Sequence, residues 1–243
     1  MRIIKLNAID STNSFLRQMS MRERIEDFTV VVAEHQMKGK GQMGTTWSSQ
    51  YGKNLTVSVF KDVSFLKTEQ NFYLNIVVSL SVLKALKVFH IPKLKVKWPN
   101  DILSDKKKLS GILIENVIKQ NQLQASVVGI GLNVNQTEFE DLPNASSMRV
   151  VLGRIFEKEE ILQVILNHLK SYFQLLENGD YERLKVEYEK HLFRKDKPST
   201  FKNAKGEVFS GIITGISDFG QLQVRIENEI VMEYDLKEIT LLY

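Results

Sequence analysis

Cysteine is absent from this chain. That excludes disulfides, thiolate metal ligands and a cysteine nucleophile, so any chemistry falls to lysine, carboxylate, amide or backbone groups. Histidine is nearly as scarce: His35, His90, His168 and His191 are scattered, without the spacing of a metal site. No apolar run reaches the roughly 18 residues that a membrane span needs. Met1 to Leu6 reads as a strand rather than a signal peptide. A cytoplasmic protein with no membrane partner is the expectation. Charge of one sign is in small excess, at +4. Part of that excess gathers between Lys93 and Lys108, where anionic substrates account for it as well as nucleic acid does. The remaining composition is that of an ordinary globular protein, 43 % hydrophobic and 26 % charged over 243 residues. Such a chain holds one large domain, or one with a small appendage.

What the chain does have is a dense loop. Residues 36 to 47 read Gln-Met-Lys-Gly-Lys-Gly-Gln-Met-Gly-Thr-Thr-Trp, between the strand-like runs Val30 to Val32 and Leu55 to Val59. Glycine lets the backbone approach a ligand closely and take positive φ, and the lysines add cations, a combination that can wrap a phosphate. A P-loop or a dinucleotide fingerprint would open a helix, whereas this loop joins two strands. Taken alone, it reads as a mobile turn more readily than as a phosphate site.

Further motifs narrow the choice. Lys97-Trp98-Pro99-Asn100-Asp101 is followed by Lys106-Lys107-Lys108-Leu109-Ser110-Gly111-Ile112-Leu113-Ile114-Glu115, then by Gly129-Ile130-Gly131-Leu132-Asn133-Val134-Asn135. With Asp10-Ser11-Thr12-Asn13 near the start, the set resembles the biotin protein ligases, which attach biotin to a carrier-protein lysine. The motifs span about residues 1 to 135. The family's glycine loop usually reads Gly-Arg-Gly-Arg-x-Gly-Arg-x-Trp. Here Gly39, Gly41, Gly44 and Trp47 match, and every arginine is replaced. The family often carries a helix-turn-helix domain ahead of the Ser-Thr-Asn motif. That motif sits at position 11, so no such domain and no DNA partner are expected.

Along the chain, Thr12 or Asn13 can cap a short helix bearing Phe15, Leu16 and Met19. Strands follow at 28–34 and 54–60, then a long core helix over 69–89 with Phe72, Ile76, Leu80 and Leu83 at helical spacing. Leu94, Val96 and Trp98 alternate as in a strand, and Pro99 makes a rigid corner after it. Ile112 to Ile118 and Leu123 to Ile130 form a hairpin of central strands. Ile161, Ile165, Leu169 and Phe173 mark another helix, ended by Gly179, and residues 180–192 are helical too. Beyond Pro198 come short glycine-punctuated strands that suit a small barrel. The order reads as α+β. The resemblance implies a class II synthetase-like mixed sheet over 1–194 and an SH3-like β-barrel over 195–243.

The resemblance also implies an activity: biotin and ATP give biotinyl-5'-AMP and pyrophosphate, with Mg2+, and a carrier lysine then displaces AMP. Lys108 aligns with the family lysine on the biotin carbonyl and phosphoryl group, against a plain reading as a solvated basic turn. Lys40 stands where a family arginine grips phosphate, and lysine keeps the charge without the planar fork. Gln42 replaces a second arginine with a neutral amide. Ser11, Thr12 and Gln36 align with residues that pair biotin's ureido ring, although Ser11 and Thr12 also read as helix caps. Gly39 and Gly111 belong to the biotin side, where Gly111 closes backbone over the substrate. Gly41, Trp47 and Asn133 belong to the nucleotide side. Trp47 is alternatively a core anchor and Asn133 a turn former. Asp101 is the carboxylate assigned to Mg2+ or to orienting the incoming lysine, with an Asx turn as the competing role. The implied partner is a biotin carboxyl carrier domain, steered by Lys93, Lys95, Lys106 and Lys107. A homodimer is left open. Lipoate or octanoate ligation is the nearest rival, and a noncatalytic biotin or nucleotide sensor the rival from another class.

Overall fold

The computed structural model describes residues 1–140 and 142–243. The elements run β1 (Ile3–Ile9), α1 (Thr12–Arg22), β2 (Val30–Gln36), β3 (Leu55–Asp62), α2 (Phe72–Val88), β4 (Leu94–Lys97), β5 (Asp101–Ser104), β6 (Lys107–Lys119) and β7 (Gln122–Leu132). They continue with α3 (Met148–Leu152), α4 (Lys158–Glu177), α5 (Tyr181–Lys190), β8 (Pro198–Asn203), β9 (Val208–Ile216), β10 (Leu222–Arg225), β11 (Val231–Tyr234) and β12 (Ile239–Leu242).

The first seven strands form one mixed sheet in the order β1-β2-β3-β7-β6-β5-β4. Only β1 and β2 are parallel; the rest pair antiparallel. The two-residue period of a strand divides its side chains between faces. Val30 and Val128 therefore join the main core, while their neighbours Val31 and Val127 pack with Leu16 of α1 on the opposite face. The long β6–β7 hairpin lies inside the sheet, as its apolar arms lead one to expect.

Helix α2 is buried along most of its length, packed with α4 and α5 and against the sheet. Its composition corrects one expectation. Thr68–Val88 is apolar and long enough to cross a membrane, but 72 % of its most apolar window is buried inside the protein, which is the setting of a core helix. Other elements shift at their ends. The expected strand 28–34 lies at Val30–Gln36, because Phe28 turns the chain at φ 57°. Helix α1 is capped by Ser11, whose Oγ accepts the Ser14 amide at 3.4 Å, rather than by Thr12 or Asn13.

The C-terminal strands form an antiparallel sheet, β11-β10-β9-β8-β12. Its end strands β11 and β12 do not pair with each other among the described residues, so the sheet is open where a closed barrel was expected. Phe201, Ile213, Leu222 and Val224 merge with the main core. Polar ties hold the C-terminal strands to the rest of the chain: Trp98 Nε1 donates to the Gly220 carbonyl at 2.8 Å, and from α5 Glu189 Oε1 accepts the Ile216 amide at 3.1 Å and Lys185 Nζ donates to Asp218 Oδ1 at 2.6 Å.

Candidate active site

A cleft of about 480 Å³ opens between the strand ends of the main sheet, the glycine loop and the C-terminal sheet. Three stretches of chain build its walls.

The glycine loop folds back on itself as a short ribbon. Trp47 donates its amide to Gly39 O at 2.9 Å, and Gly41 donates to Thr45 O at 2.7 Å. A side chain at Gly39 would collide with the Trp47 carbonyl, so this glycine serves the ribbon's close approach. Lys40 and Gln42 turn to the cleft from the ribbon. The Trp47 indole crosses the wall and lies on Gly131, where any Cβ would strike its ring. Its Nε1 is buried without a hydrogen-bond partner.

The corner at residues 97–101 is fixed from several sides. Besides the Trp98 bond to Gly220, Asn100 Nδ2 donates to Ile112 O at 2.7 Å, Ile112 returns its amide to Asn100 O at 3.0 Å, and Tyr188 Oη donates to Pro99 O at 3.3 Å. Tyr188 is fully buried, and that burial pushes its pKa up. The corner delivers Asp101 to the start of β5, beside Lys108 on β6. Lys108 Nζ and Asp101 Oδ1 are 2.7 Å apart, an ion pair whose angles miss those of a hydrogen bond. Lys108 Nζ also lies 5.9 Å from the centre of the Trp47 ring, and 3.2 Å from where a Cβ on Gly111 would sit.

The third stretch is the start of α1, facing β2 and β3. Gln36 Oε1 accepts the Thr12 amide at 2.8 Å and lies 2.9 Å from Thr12 Oγ1. Ser11, Thr12, Asn13 and Gln36 thus gather hydroxyls and amides at one end of the cleft, and Val57, Ile112 and Ile130 give it an apolar wall. Lys40, Lys97, Lys108 and Lys237 also line the cleft, where Asp101 is the one carboxylate among the described residues, paired with Lys108. A polar pocket, an apolar wall and a set of lysines suit a substrate with a polar ring, an aliphatic chain and a charged acyl phosphate.

Of the sequence-selected residues, Ser11, Thr12, Gln36, Lys40, Gly41, Gln42, Trp47, Asp101, Lys108 and Gly111 line this cleft, whereas Gly39 and Asn133 do not. Asn133 is buried and donates from Nδ2 to Ser146 O at 3.0 Å, bracing the loop that follows β7. Gly39 is buried within the ribbon, against the Trp47 carbonyl. The sequence reading passed over Asn13 as a site residue, and Lys237, Leu236 and Thr240, which reach the cleft from the C-terminal sheet. Nothing local in 236–240 signals that role. No group of three or more histidine or acidic side chains able to hold a metal occurs among the described residues.

The family model of the biotin/lipoate A/B protein ligases matches residues 6–133. The chain is similar to the bifunctional ligase/repressor BirA of Bacillus spizizenii, with 28 % identity over 96 % of this chain and 72 % of that protein. It is also similar to the biotin--[acetyl-CoA-carboxylase] ligase of Mycobacterium tuberculosis, with 27 % identity over 91 % of this chain and 82 % of the other. Among solved structures, the biotin protein ligase of Aquifex aeolicus in complex with biotin and ATP superposes with a TM-score of 0.82, at 27 % identity, over 99 % of this chain and 98 % of that one.

Proposed function

The chain belongs to the biotin/lipoate A/B protein ligase family, and from that membership we propose how its cleft handles two substrates. The protein is an ATP-dependent biotin protein ligase. It activates biotin as biotinyl-5'-AMP and transfers the biotinyl group to the lysine of a biotin carboxyl carrier protein. The observation that carries this reading is the lining of the cleft: a hydroxyl and amide pocket at Ser11, Thr12 and Gln36, an apolar wall, and four lysines with the carboxylate of Asp101, which is paired with Lys108.

In the first step a biotin carboxylate oxygen attacks the α-phosphorus of ATP, and the bond to pyrophosphate breaks. In the second, the carrier amine attacks the acyl carbon, the bond to AMP breaks, and the amine loses its extra proton. Negative charge grows on phosphoryl oxygens and then on the acyl oxygen. Fixed cations stabilise such charge best where water is excluded. Lys108 has the place for both steps, since its ammonium sits between Asp101, Trp47 and Gly111. Asp101 holds that ammonium in position and is the nearest base for the incoming amine. Lys40 and Gln42 face the phosphates from the ribbon. Gly41 lets the ribbon backbone close over them, and Trp47 offers its ring to the adenine. Ser11, Thr12 and Gln36 pair the ureido ring, and Gly111 leaves room for the substrate chain. Asn133 acts on the nucleotide side through the loop it braces, and Gly39 on the biotin side through the ribbon it closes. Asp101, the carboxylate that lines the cleft, would be the side chain to hold a Mg2+ ion that arrives with ATP. So held, it would neutralise charge on the phosphates.

The catalytic unit is taken as 1–194, with 195–243 as an SH3-like unit opened between β11 and β12. Lys93 and Lys95, before and on β4, and Lys106 and Lys107, at the turn from β5 into β6, are read as the face that steers an acidic carrier domain. A cytoplasmic location follows from the carboxylase partner. Biotin-dependent exchange between ATP and pyrophosphate, with lipoate and octanoate as competitors, tests the whole reading. Exchange driven by biotin and untouched by the competitors is expected. Exchange driven by lipoate would move the protein to the family's other branch.

A further inference from the structure

The polar end of the cleft contains a hydrogen-bond chain whose direction can be settled by counting hydrogens. Ser58 is fully buried on β3. Its Oγ lies 2.7 Å from Thr12 Oγ1 and 2.5 Å from Asn13 Oδ1. Thr12 Oγ1 in turn lies 2.9 Å from Gln36 Oε1. Three oxygen–oxygen contacts must share the single hydroxyl hydrogens of Thr12 and Ser58, so one contact has none.

The far end of the chain decides which. Asn13 Nδ2 faces two groups that only accept, Glu115 Oε2 at 2.9 Å and Leu113 O at 3.3 Å. Glu115 is itself ion-paired with Arg17 at 3.6 Å. Turning the Asn13 amide over would press its oxygen against both acceptors, so Oδ1 faces Ser58. That oxygen takes the Ser58 hydrogen at the shortest contact of the three. The Thr12 hydrogen then has two acceptors in reach; Ser58 Oγ is the nearer at 2.7 Å, and Gln36 Oε1 is already occupied by the Thr12 amide, so Ser58 accepts it. The contact left without a hydrogen is Thr12 to Gln36, the longest of the three. Gln36 Oε1 still accepts the Thr12 amide at 2.8 Å. Both Thr12 and Gln36 line the cleft, and both therefore offer it lone pairs.

We infer that Glu115, acting through Asn13 and Ser58, fixes the Thr12 hydroxyl as an acceptor, making the cleft selective for a head group that donates N–H. A cyclic urea has two such donors. A dithiolane has none, and would leave the two oxygens facing each other without a hydrogen. The inference rests on the biotin ligase reading and deepens it, because it supplies the physical reason for choosing biotin's cyclic urea over a dithiolane. Glu115, Asn13 and Ser58 are positioning residues here, since they act through Thr12 and not on the reacting atoms.

The test is calorimetric titration of the full chain with biotin and with its carbamate analogues, in which a ring oxygen replaces one ureido N–H. The wild type should prefer biotin over at least one analogue by roughly tenfold, the size of one hydrogen bond. In Ser58→Ala the Thr12 hydrogen loses its acceptor and turns to Gln36 Oε1 or into the cleft, either of which takes a lone pair from the N–H donor. Biotin should weaken by about that factor while the analogue holds or gains, so the ratio collapses. KM for biotin in the exchange reaction should rise with kcat held. Glu115→Gln keeps the shape and lets the Asn13 amide sit either way, so it should lower the ratio less. Being at a partly exposed position, it also serves if Ser58→Ala does not fold, as melting would reveal. Ratios unchanged in folded variants, with biotin bound normally by the wild type, would overturn the relay alone. A wild type that neither binds biotin nor supports exchange would overturn the ligase reading and the relay with it.

Discussion

The glycine loop and the Lys-Trp-Pro-Asn-Asp corner face each other across the cleft and are built on opposite plans. The corner is tied through Trp98 to Gly220, through Asn100 to Ile112 and through Pro99 to Tyr188. The loop is tied mainly to itself, by the amides of Trp47, Gly41 and Thr45, and Met43, Gly44, Thr45 and Thr46 stand exposed. Its one deep anchor is the Trp47 ring on Gly131. A fixed wall suits the groups that must meet a transition state within fractions of an ångström. A self-contained ribbon suits a flap that admits substrate and then retains an intermediate.

If that division is right, the largest effect belongs to the fixed wall. Lys108→Ala should cost roughly 1.5 to 3 kcal/mol or more at the transition state, the scale of a charge-assisted contact. Exchange and transfer should both fall by between tenfold and more than a hundredfold, with the melting temperature retained. Near wild-type exchange would remove Lys108 from the chemistry and leave Asp101 without its partner.

The loop should show itself in retention instead. Lys40→Arg with Gln42→Arg restores two planar forks, each able to add a charged hydrogen bond of roughly 1.5 to 3 kcal/mol. Residence of labelled biotinyl-AMP, chased with unlabelled ligand, should lengthen by at least about tenfold, with little change in the rate of adenylate formation. A wild type that already holds its adenylate as long as the double variant would mean that other cations, Lys237 first among them, cover the phosphate.

Much of this arrangement was legible in the sequence, for identifiable reasons. Proline at 99 and the apolar arms around Ile112 and Ile130 are local signals, so the corner and the central hairpin could be read directly. Glycine spacing and Trp47 placed the ribbon. The resemblance then put ten residues into one cleft, but it also put Asn133 there, whose side chain instead braces Ser146. An asparagine after a strand looks the same in either role. Contacts remote in sequence were invisible: Trp98 meets Gly220 across 122 positions, and Lys237 reaches the cleft from a loop with no motif. Ser58 was hidden for another reason, since a serine inside an apolar strand gives no sign of which hydroxyl it will meet. Barrel closure likewise depends on edge pairing that glycine punctuation does not encode.

A smaller effect should come from the tie between the sheets. Trp98→Phe keeps an aromatic ring at the position, trims part of the indole's packing and loses the hydrogen bond to Gly220 O. It leaves that carbonyl short of a partner, at a cost of about 1 kcal/mol. For a chain of this size the midpoint should fall by roughly 2 to 4 °C. Exchange activity at low temperature should change little. A large loss of activity with no loss of stability would show that the C-terminal sheet positions the corner dynamically rather than merely supporting it.

The smallest effect is one of pH, and it acts behind the corner. The His191 carbonyl accepts the Val96 amide at 2.8 Å, two residues before Trp98, so what destabilises His191 loosens the corner's base. Burial, then the charges of Lys87, Lys84 and Lys95, lower the His191 pKa from 6.5 to about 4, with Glu187 opposing them. A lowered histidine value means that the unfolded chain binds a proton where the folded one does not. Above pH 6.5 neither state is protonated and there is no penalty; as pH falls the penalty grows, and it is complete below about 4. Stability should therefore decline on acidification through that window, and His191→Gln should flatten the decline. Hydrogen exchange at the Val96 amide should accelerate with acid, relative to the intrinsic rate, before that of amides in the β6–β7 hairpin. An identical pH profile of melting in His191→Gln would assign the acid sensitivity elsewhere. Glu187 is the next group to consider: burial raises its pKa, but bonds from Lys84 and Tyr172 outweigh that and lower it overall.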